Sequence, residues 1–472
     1  MKICVLAGAA LAAALSLTAP AFAQASVGQT ASAEQRAEAR EIYSRAVAFN
    51  TSVSGGQTPQ LAAYLRDLFL QGGFADADTL IVPHHATASL LVRYRGDGTG
   101  GRPILFMAHM DVVEARREDW ERDPYTLIEE NGYFYGRGAY DNKSGLAALT
   151  ATFLQLKREN FTPTRDLVLV FTGDEEVEQA TIQQLLAQHR DWLDAEFAIN
   201  SDSGGGVLSE DGQPIFYTMQ TAEKSYASYR LSVRNPGGHS SLPRVDNAIY
   251  ELAEALSRIR AHQFPVMWNE TTIAYFEAAG AQRQDEIGAA MRRFAARPGD
   301  RRAAQILARD PFTIGQTRTT CIPTLLYGGH ADNALPQSAE AVINCRIFPG
   351  VSIEAVQAEL ARLAGPGVSI RTELPEYFSS DASAVRPDVL AAVNAAAHAI
   401  HPGVVVTPQM AVGASDSLFT RAAGIPTFGA SEIFIKDSDD FSHGLNERVA
   451  VGSFYDGLTF WRVMVRGLAG QR

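Results

Sequence analysis

Between about residues 60 and 220, short apolar runs alternate with segments of helical periodicity. Residues 90–94, 104–108 and 167–172 are almost wholly apolar, which indicates strands that are buried on both faces. Residues 146–156 place leucine and phenylalanine at helical spacing along one face. Strands that alternate with helices in this way predict an α/β fold, with a mixed, largely parallel sheet and flanking helices.

This pattern is interrupted near residue 222 and returns near residue 375. The interrupting segment begins with an alternating, half-exposed strand and continues through a polar, arginine-containing helical stretch. It ends in two strands and a helix, an order typical of an α+β unit. We therefore predict a smaller α+β domain at residues 223–375, inserted between two parts of one α/β domain at residues 24–222 and 376–472.

The first 23 residues have the pattern of a secretory signal. Lys2 precedes the apolar run 3–17, and Ala21 and Ala23 supply small residues at the −3 and −1 positions. We expect cleavage before Gln24 and a destination in the periplasm or outside the cell; the alanine-rich style is typical of bacteria. The alternative is a retained membrane anchor, for which the apolar run is short.

The charge balance excludes some classes of partner. Lys and Arg number 41, Asp and Glu number 53, and the formal net charge is −12. An acidic chain is poorly suited to neutralising nucleic-acid phosphates or to docking on anionic lipid. We therefore expect neither nucleic-acid binding nor, after signal cleavage, membrane binding. Hydrophobic residues at 46% and charged residues at 20% are typical of a globular protein.

Two cysteines remain after signal cleavage, Cys321 and Cys345. Strand-like runs flank the loop around Asn333, and each cysteine lies 12 residues from that position. If the two runs form an antiparallel pair about this loop, the cysteines face each other. The pattern predicts a cross-strand disulfide in an oxidising compartment; the alternative is two unpaired thiols in the core.

Acidic and histidine side chains follow several of the predicted strands. In open α/β sheets ligands bind at the carboxyl ends of the strands. Each of these side chains alone could be structural, or could cap a helix. Together they supply the ligands of a divalent-metal site: two ions require a shared carboxylate, a His and a carboxylate on each side, and a nearby base. The residues are His109, Asp111, Asp141, Glu175, Glu176, Asp202 and His443.

These segments, in this order, resemble the dizinc exopeptidase family that includes carboxypeptidase S, aminoacylase, glutamate carboxypeptidase and carnosinase-type dipeptidases. The resemblance covers nearly all of the mature chain. It implies that Asp141 bridges two Zn²⁺ ions per subunit, with Co²⁺ or Mn²⁺ as substitutes. It further implies that His109 and Asp202 complete one site, and that Glu176 and His443 complete the other.

The resemblance also implies the roles of two further acids. Glu175 is expected to be the general base that takes a proton from the metal-bridging water. Asp111, two residues after His109, is expected to steady the His109 ring from behind. The family pattern further implies a cis peptide bond between Asp141 and Asn142.

The inserted domain resembles the family's lid and dimerisation domain. The resemblance implies that His239 polarises the scissile carbonyl, although a turn histidine is the structural alternative. Asn333 is expected to contact substrate, and Arg346 to bind a substrate carboxylate, with a salt bridge inside the lid as the alternative. Ser415 and Asp416 lie in a segment that resembles the family's substrate loop, although Ala414 and Ser415 replace the commoner Gly and Thr.

The sequence therefore predicts a secreted zinc hydrolase that cleaves a peptide bond beside a free carboxylate, of carboxypeptidase or dipeptidase type. The alternative is an N-acyl-amino-acid hydrolase that uses the same metal site. A non-catalytic binding protein on this fold would lack ligands or the base, and here all of them are present. A Gly-x-Ser-x-Gly elbow and a His-Glu-x-x-His motif are both absent from the sequence, which disfavours a serine hydrolase and a zincin. Relatives pair through the lid, so we expect a homodimer.

Overall fold

A computed structural model describes residues 30–374 and 377–470. The predicted signal segment, residues 1–23, lies outside the described residues. Among the residues that the structure describes, no helix has the length and apolarity needed to cross a membrane. The described residues form four sheets, of which a ten-stranded and a four-stranded sheet organise the fold, and a three-stranded and a two-stranded sheet are smaller additions.

The first part of the chain supplies most of the large sheet and the helices beside it. Its strands are β1 (Thr79–His84), β2 (Thr87–Tyr94), β3 (Ile104–His109), β4 (Ile128–Glu130), β5 (Tyr133–Tyr135), β6 (Leu167–Thr172), β7 (Phe197–Asn200), β8 (Gly205–Leu208) and β9 (Pro214–Glu223). Its helices are α1 (Ala33–Ala48), α2 (Thr58–Gln71), α3 (Lys143–Arg158), α4 (Ala180–Gln188) and α5 (Arg190–Leu193).

The middle part forms the smaller sheet and six helices. Its strands are β10 (Ser225–Arg234), β11 (Gly238–His239), β12 (Thr320–Gly328), β13 (Ala334–Leu335), β14 (Ser338–Ile347) and β15 (Ser369–Thr372). Its helices are α6 (Ala248–Ala261), α7 (Glu270–Gln282), α8 (Glu286–Ala296), α9 (Arg301–Leu307), α10 (Pro311–Gly315) and α11 (Ile353–Ala364).

The last part returns to the large sheet. Its strands are β16 (Val406–Ala411), β17 (Thr427–Gly429), β18 (Phe434–Lys436) and β19 (Arg448–Ala450). Its helices are α12 (Pro387–Ile400), α13 (Ser417–Ala422) and α14 (Val451–Ala469).

The large sheet has ten strands in the order β1-β2-β6-β3-β7-β17-β9-β8-β18, with β16 paired to β9. Its centre, β6-β3-β7-β17, is parallel, whereas β1, β2 and β9 add antiparallel pairings. Strands β3 and β6 are buried along their whole length because helices cover both faces, which explains their unbroken apolar sequences. The predicted α/β class with a mixed, largely parallel sheet is confirmed.

The smaller sheet is antiparallel, with the order β12-β14-β10-β15. Helices α6 and α11 cover one face, and their apolar side chains form a separate core with β10 and β14. Cys321 of β12 pairs in register with Cys345 of β14, and their sulfur atoms are bonded. We call this sheet and its two helices the lid.

The helices α7 to α10 lie in sequence between α6 and β12 of the lid, but they pack against the large sheet. Phe216 of β9 contacts the apolar cluster that these helices share. Thr271 at the start of α7 and Thr221 of β9 join their hydroxyl groups at 2.7 Å. Thr407 of β16 donates to the carbonyl oxygen of Ala274 at 3.2 Å. The chain therefore passes between the two sheets four times: at the start of β10, between α6 and α7, before β12 and after β15.

Candidate metal centre

His109 ends the buried strand β3 and lies almost completely out of contact with water. Its Nε2 atom lies 2.9 Å from Oδ1 of Asp141 and 3.3 Å from Oδ1 of Asp202. Its Nδ1 atom faces the other way, 3.0 Å from the carbonyl oxygen of Asp111. One ring nitrogen is therefore held by the protein while the other points at two carboxylates, which is the arrangement of a metal-ligating histidine.

Asp141 lies between two histidines. It occupies the loop between β5 and α3, and the Asp141–Asn142 peptide bond is cis. Its Oδ1 atom faces His109, and its Oδ2 atom lies 3.3 Å from Nε2 of His443. A carboxylate that presents one oxygen to each of two ligand pairs has the geometry required to bridge two ions.

Glu176 and His443 form the second ligand pair. Nε2 of His443 lies 2.8 Å from Oε2 and 3.0 Å from Oε1 of Glu176. His443 is half-exposed, which gives this side of the centre access to solvent. Its backbone has φ 60°, a left-handed conformation that is uncommon outside glycine.

Asp111 supports both the histidine and the acidic pair. Its Oδ1 and Oδ2 atoms accept hydrogen bonds from the backbone N–H groups of Glu175 and Glu176, at 3.1 Å and 3.0 Å. Glu175 in turn accepts a hydrogen bond from Nε2 of Gln179 at 3.0 Å. Asp111 therefore orients the turn that carries Glu175 through its carboxylate, and the imidazole of His109 through its backbone carbonyl oxygen.

The donor set fits divalent cations. Ligand atoms of His109, Asp141 and Glu176 all lie within 4.8 Å of one another, and so do those of His109, Glu175 and Asp202. Four carboxylates at this distance repel one another unless positive charge lies among them. Imidazole nitrogen together with carboxylate oxygen is the ligand mixture that suits Zn²⁺, and Co²⁺ and Mn²⁺ share much of that preference.

The pKa values of these side chains are shifted because several ionisable groups are buried close together. Burial and the neighbouring Asp202 carboxylate raise the pKa of Glu175, and burial raises the pKa of Asp202 to about 7. Hydrogen bonds to Asp141 and Glu176 raise the pKa of His443 to about 10. Burial opposes ionisation of Asp141, but hydrogen bonds from the two histidines outweigh it and lower its pKa.

Open space lies beside these ligands. A cavity of about 200 Å³ is bordered by Asp141 and Asp202. Tyr140, Ser431 and Asp440 line it further. A small substrate group can therefore approach the two carboxylates from this side.

Two of the predicted lid residues lie together at the short β11–β13 pair, which connects to the lid strands β10 and β14 and which we call the lid tip. Strands β11 and β13 pair His239 with Ala334, and the N–H of Ser240 donates to the carbonyl oxygen of Asn333 at 3.0 Å. Nδ1 of His239 lies 2.8 Å from the hydroxyl oxygen of Ser241, which leaves Nε2 available for another partner. His239 and Asn333 are both exposed.

Arg346 of β14 lies in a cationic environment. Its guanidinium lies 5.0 Å from the centre of the Tyr226 ring, and within the described ranges no carboxylate lies at ion-pair distance from it. Burial lowers the pKa of Arg346, and burial and then Arg346 lower the pKa of Lys224 to about 7. The salt bridge weighed as the alternative for Arg346 is not formed within the described residues.

Ser415 and Asp416 make their hydrogen bonds inside the protein. The hydroxyl of Ser415 donates to Oε2 of Glu223 at 3.0 Å, and the hydroxyl of Thr172 donates to Oδ2 of Asp416 at 2.6 Å. Both residues are buried. Glu223 is also paired with Arg421 at 2.7 Å. These contacts anchor the loop before α13 to the end of β9.

Sequence analysis did not identify Arg137 and Glu447, although both contact the loops that carry ligands. They form an ion pair with 2.6 Å between Nη1 and Oε2. Arg137 lies four residues before Asp141, and Glu447 lies four residues after His443. A charged residue at the same distance from each ligand is the only sequence signal, and it is weak because charged residues are common in loops.

Comparison with known proteins supports the family resemblance found in the sequence. The sequence model of "Peptidase family M20/M25/M40" matches residues 105–467. The chain is 28% identical over 389 residues to the human "N-fatty-acyl-amino acid synthase/hydrolase PM20D1", which covers 79% of this chain and 75% of the relative. It is 27% identical over 272 residues to carboxypeptidase S of Saccharomyces cerevisiae, across 55% of this chain and 47% of that protein.

Solved structures show the same fold. The M20 family metallo-carboxypeptidase Sso-CP2 from Sulfolobus solfataricus superposes with a TM-score of 0.71 at 18% identity, covering 91% of this chain and 98% of that one. Human carnosine dipeptidase 1 superposes with a TM-score of 0.62 at 16% identity, covering 92% and 97%. The resemblance seen in the sequence is confirmed.

Proposed function

This chain belongs to peptidase family M20/M25/M40, and we propose that it uses two divalent ions to hydrolyse an amide bond beside a free carboxylate. One observation carries the proposal: ligand side chains from five separate segments converge, with Asp141 between His109 and His443. A structural role for this cluster would leave several carboxylates in mutual repulsion.

We propose Zn²⁺ as the ion at both positions, on the basis of the mixed nitrogen and oxygen ligands. His109 and Asp202 would hold one ion, Glu176 and His443 the other, and Asp141 both. Bound ions of this class polarise a carbonyl group and lower the pKa of a coordinated water. Asp111 contributes by holding the His109 ring with Nε2 towards the carboxylates.

Glu175 is the proposed general base. It stands beside the ligand Glu176, and the hydrogen bonds from both backbone N–H groups to Asp111 fix the direction of this turn. From this position its carboxylate accepts a proton from the attacking water and then delivers it to the leaving amine. The hydrogen bond from Gln179 holds one carboxylate oxygen, which leaves the second oxygen for the proton.

The lid supplies the proposed substrate contacts. Arg346 has no acidic partner in the described protein, so it is suited to bind the free carboxylate of the substrate. His239, exposed beside the β11–β13 pair, is suited to polarise the scissile carbonyl, and the neighbouring exposed Asn333 is suited to contact the substrate. Ser415 and Asp416, which bond internally, act by shaping the neighbouring loop.

Two substrate classes fit this geometry. Peptides with a free C-terminus agree with the names of the carboxypeptidase and dipeptidase relatives. N-acyl amino acids agree with the name of the human relative, which aligns over most of its length. Both classes present an amide beside a carboxylate, so the same ions, base and arginine serve either one.

Glu175→Gln tests the mechanism. The substitution keeps the size of the side chain but removes the proton acceptor, so kcat should fall by about 10²–10⁴-fold on dipeptides or on N-acyl amino acids. Metal content, measured by mass spectrometry of the elements, should remain at two ions per chain. Glu176→Gln is the matched variant, and there metal content should fall as well. Unchanged kcat in Glu175→Gln would contradict the assignment of the base.

We also propose that the chain is exported to the periplasm or beyond after cleavage before Gln24, because residues 1–23 have the pattern of a signal. We further propose a homodimer that forms through the lid. Strand β12 lies at the edge of the lid sheet, and seven of its nine residues are exposed. An exposed edge strand with apolar side chains is suited to pair with a second copy.

A further inference from the structure

The loops that carry Asp141 and His443 are joined by a carboxylate. Glu447, four residues after His443, reaches the backbone of the Asp141 loop with its carboxylate. Its Oε1 atom accepts the backbone N–H groups of Tyr140 at 2.7 Å and of Asp141 at 3.0 Å, and its Oε2 atom accepts the N–H of Gly138 at 3.1 Å. The backbone that leads into Asp141 is therefore hydrogen-bonded to a side chain of the other loop.

A guanidinium joins the same loops in the opposite direction. Arg137, four residues before Asp141, donates through Nη2 to the carbonyl oxygens of His443 at 3.3 Å and Gly444 at 3.1 Å. Through Nη1 it donates to Oε2 of Glu447 at 2.6 Å. Each loop thus contributes one charged side chain that binds the backbone of the other loop. We call this arrangement the Arg137–Glu447 clamp.

The clamp is buried, and Nη1 and Nη2 of Arg137 and both carboxylate oxygens of Glu447 bond to these loops, whereas Nε of Arg137 has no hydrogen-bond partner among the described residues. The side chains of Arg137 and Glu447 are 3% and 1% exposed. A buried ion pair stabilises a protein only where further hydrogen bonds satisfy both partners, and here the two groups share several backbone contacts. His443, held by this clamp, has a left-handed backbone that costs free energy unless its surroundings impose it.

The two proposed ion positions differ in how they are supported. His109 ends β3, and Asp202 closely follows β7; these strands pair directly in the large sheet. The sheet itself therefore sets the distance between those two ligands. Asp141 and His443 both lie on loops, and their side chains approach to 3.3 Å. The distance between these two loops depends on the clamp.

We propose that the Arg137–Glu447 clamp is a positioning device that holds Asp141 and His443 at ligand distance. On the proposed two-ion function, the position formed by Asp141, Glu176 and His443 depends on the clamp. The position formed with His109 and Asp202 shares Asp141, but the sheet sets the distance between its other two ligands. Loss of the clamp therefore weakens the ion at the His443 position more than the other ion.

Arg137→Lys is the sharpest test. Lysine keeps a positive charge beside Glu447, but a single ammonium cannot reproduce the fork that also reaches the carbonyl oxygens of His443 and Gly444. Calorimetric titration of the metal-free full chain with Zn²⁺ should show that the wild type binds two ions tightly. In the variant one tight ion should remain, and the second should bind about 10–100-fold more weakly, as is usual when the support of a ligand is lost.

Arg421→Lys is the matched control. Arg421 and Glu223 form another buried ion pair, with side chains 2% and 0% exposed, and its described hydrogen bonds do not reach the loops that carry Asp141 and His443. This variant should lose thermal stability while it keeps two tight ions. Glu447→Gln, which preserves size but removes the charge, should repeat the selective loss seen in Arg137→Lys. In both clamp variants kcat at limiting metal should fall more than KM rises.

The outcomes separate this inference from the proposed function. Two tight ions in both clamp variants, or equal weakening of both ions, overturns the positioning role. A wild-type chain that binds fewer than two ions contradicts the proposed function itself, and the inference falls with it. Selective loss of one ion in the clamp variants, with two retained in Arg421→Lys, supports the clamp.

Discussion

At the scale of single residues, the surroundings of Arg346 give the clearest prediction about the substrate, namely that it carries a free carboxylate. It lies near Lys224 and Tyr226 without an acidic partner among the described residues. Arg346→Lys should lower kcat/KM by about 10–150-fold on substrates with a free carboxylate, because a charge-assisted bidentate contact is worth about 1.5–3 kcal/mol. Steady-state kinetics on free and amidated forms of one peptide measures this.

The amidated peptide should be a poor substrate of the wild type and should lose little more in the variant. Arg371→Lys, an exposed substitution on β15 of the same lid sheet, is the control and should behave like the wild type. Equal losses on free and amidated peptides would show that Arg346 is structural.

Glu432 gives a prediction about pH at the same scale. It is completely buried, its Oε2 atom accepts a hydrogen bond from Nε1 of Trp461 at 3.0 Å, and burial raises its pKa from 4.5 to about 7. The titratable groups that respond to its charge include the phenols of Tyr43, Tyr140 and Tyr217, which burial keeps neutral in this range because it raises their pKa values. The folded chain therefore holds a proton that the unfolded chain releases.

The direction in which stability changes with pH follows from this difference in proton binding. The stabilisation from protonated Glu432 is fully present below about pH 4.5 and is lost as pH rises through about 7, a change of about 3 kcal/mol. In Glu432→Gln this contribution to the pH dependence should disappear, so the free energy of unfolding should fall less between pH 5 and pH 8. Urea unfolding at both pH values measures it, and Glu118→Gln, an exposed change, is the control. Identical pH dependence in wild type and Glu432→Gln contradicts the prediction.

At the scale of elements, the disulfide joins the edge strand of the lid to its neighbour. Cys321 near the start of β12 and Cys345 near the end of β14 lie 24 residues apart in sequence, on the two strands that flank the loop carrying Asn333. Closing a loop of this length stabilises a fold by about 3 kcal/mol in the chain-entropy description. Cys321→Ser with Cys345→Ser should therefore lower the free energy of unfolding by about this amount.

The measurement is chemical unfolding of the oxidised wild type and of the double variant. Dithiothreitol should destabilise the wild type and leave the double variant unchanged, which separates the disulfide from any other effect of reductant. Metal affinity should be the same in both proteins, because the metal ligands lie outside the lid. Equal stability with and without reductant in the wild type would contradict the prediction.

At the scale of the whole molecule, the exposed edge of the lid predicts an assembly. Ile322 and Leu326 of β12 are 62% and 68% exposed, which is unusual for apolar side chains on a monomer surface. Two copies that pair through β12 would cover both strands. Sedimentation velocity should show a dimer for the wild type and a monomer for Leu326→Arg, because an arginine at a strand edge opposes pairing.

Glu118→Arg places the same charge on an exposed part of the large domain and should leave the dimer intact. A wild type that sediments as a monomer at micromolar concentration contradicts the pairing. A monomeric Leu326→Arg variant with lower kcat would further show that the two chains cooperate in catalysis.

The positions of the metal-centre residues could be predicted from the sequence because they follow from local pattern. The apolar runs at residues 104–108 and 167–172 are strands β3 and β6 of the parallel centre, and His109 and Glu176 follow them. Strand β9 was not predicted, because its last residues are polar and bond to the loops after β7 and before α13. Periodicity reports burial by apolar contact, and it does not detect a strand buried among polar partners.

What the sequence alone determined is therefore which side chains stand at the ends of buried strands, since burial and strand length are encoded within about ten residues. Only the tertiary structure decided which distant partners meet. It placed α7 to α10 against the large sheet, turned Ser415 and Asp416 inward, and joined Arg137 to Glu447 across 310 residues. Such contacts depend on how whole elements pack in three dimensions, and no local pattern of charge or hydrophobicity specifies them.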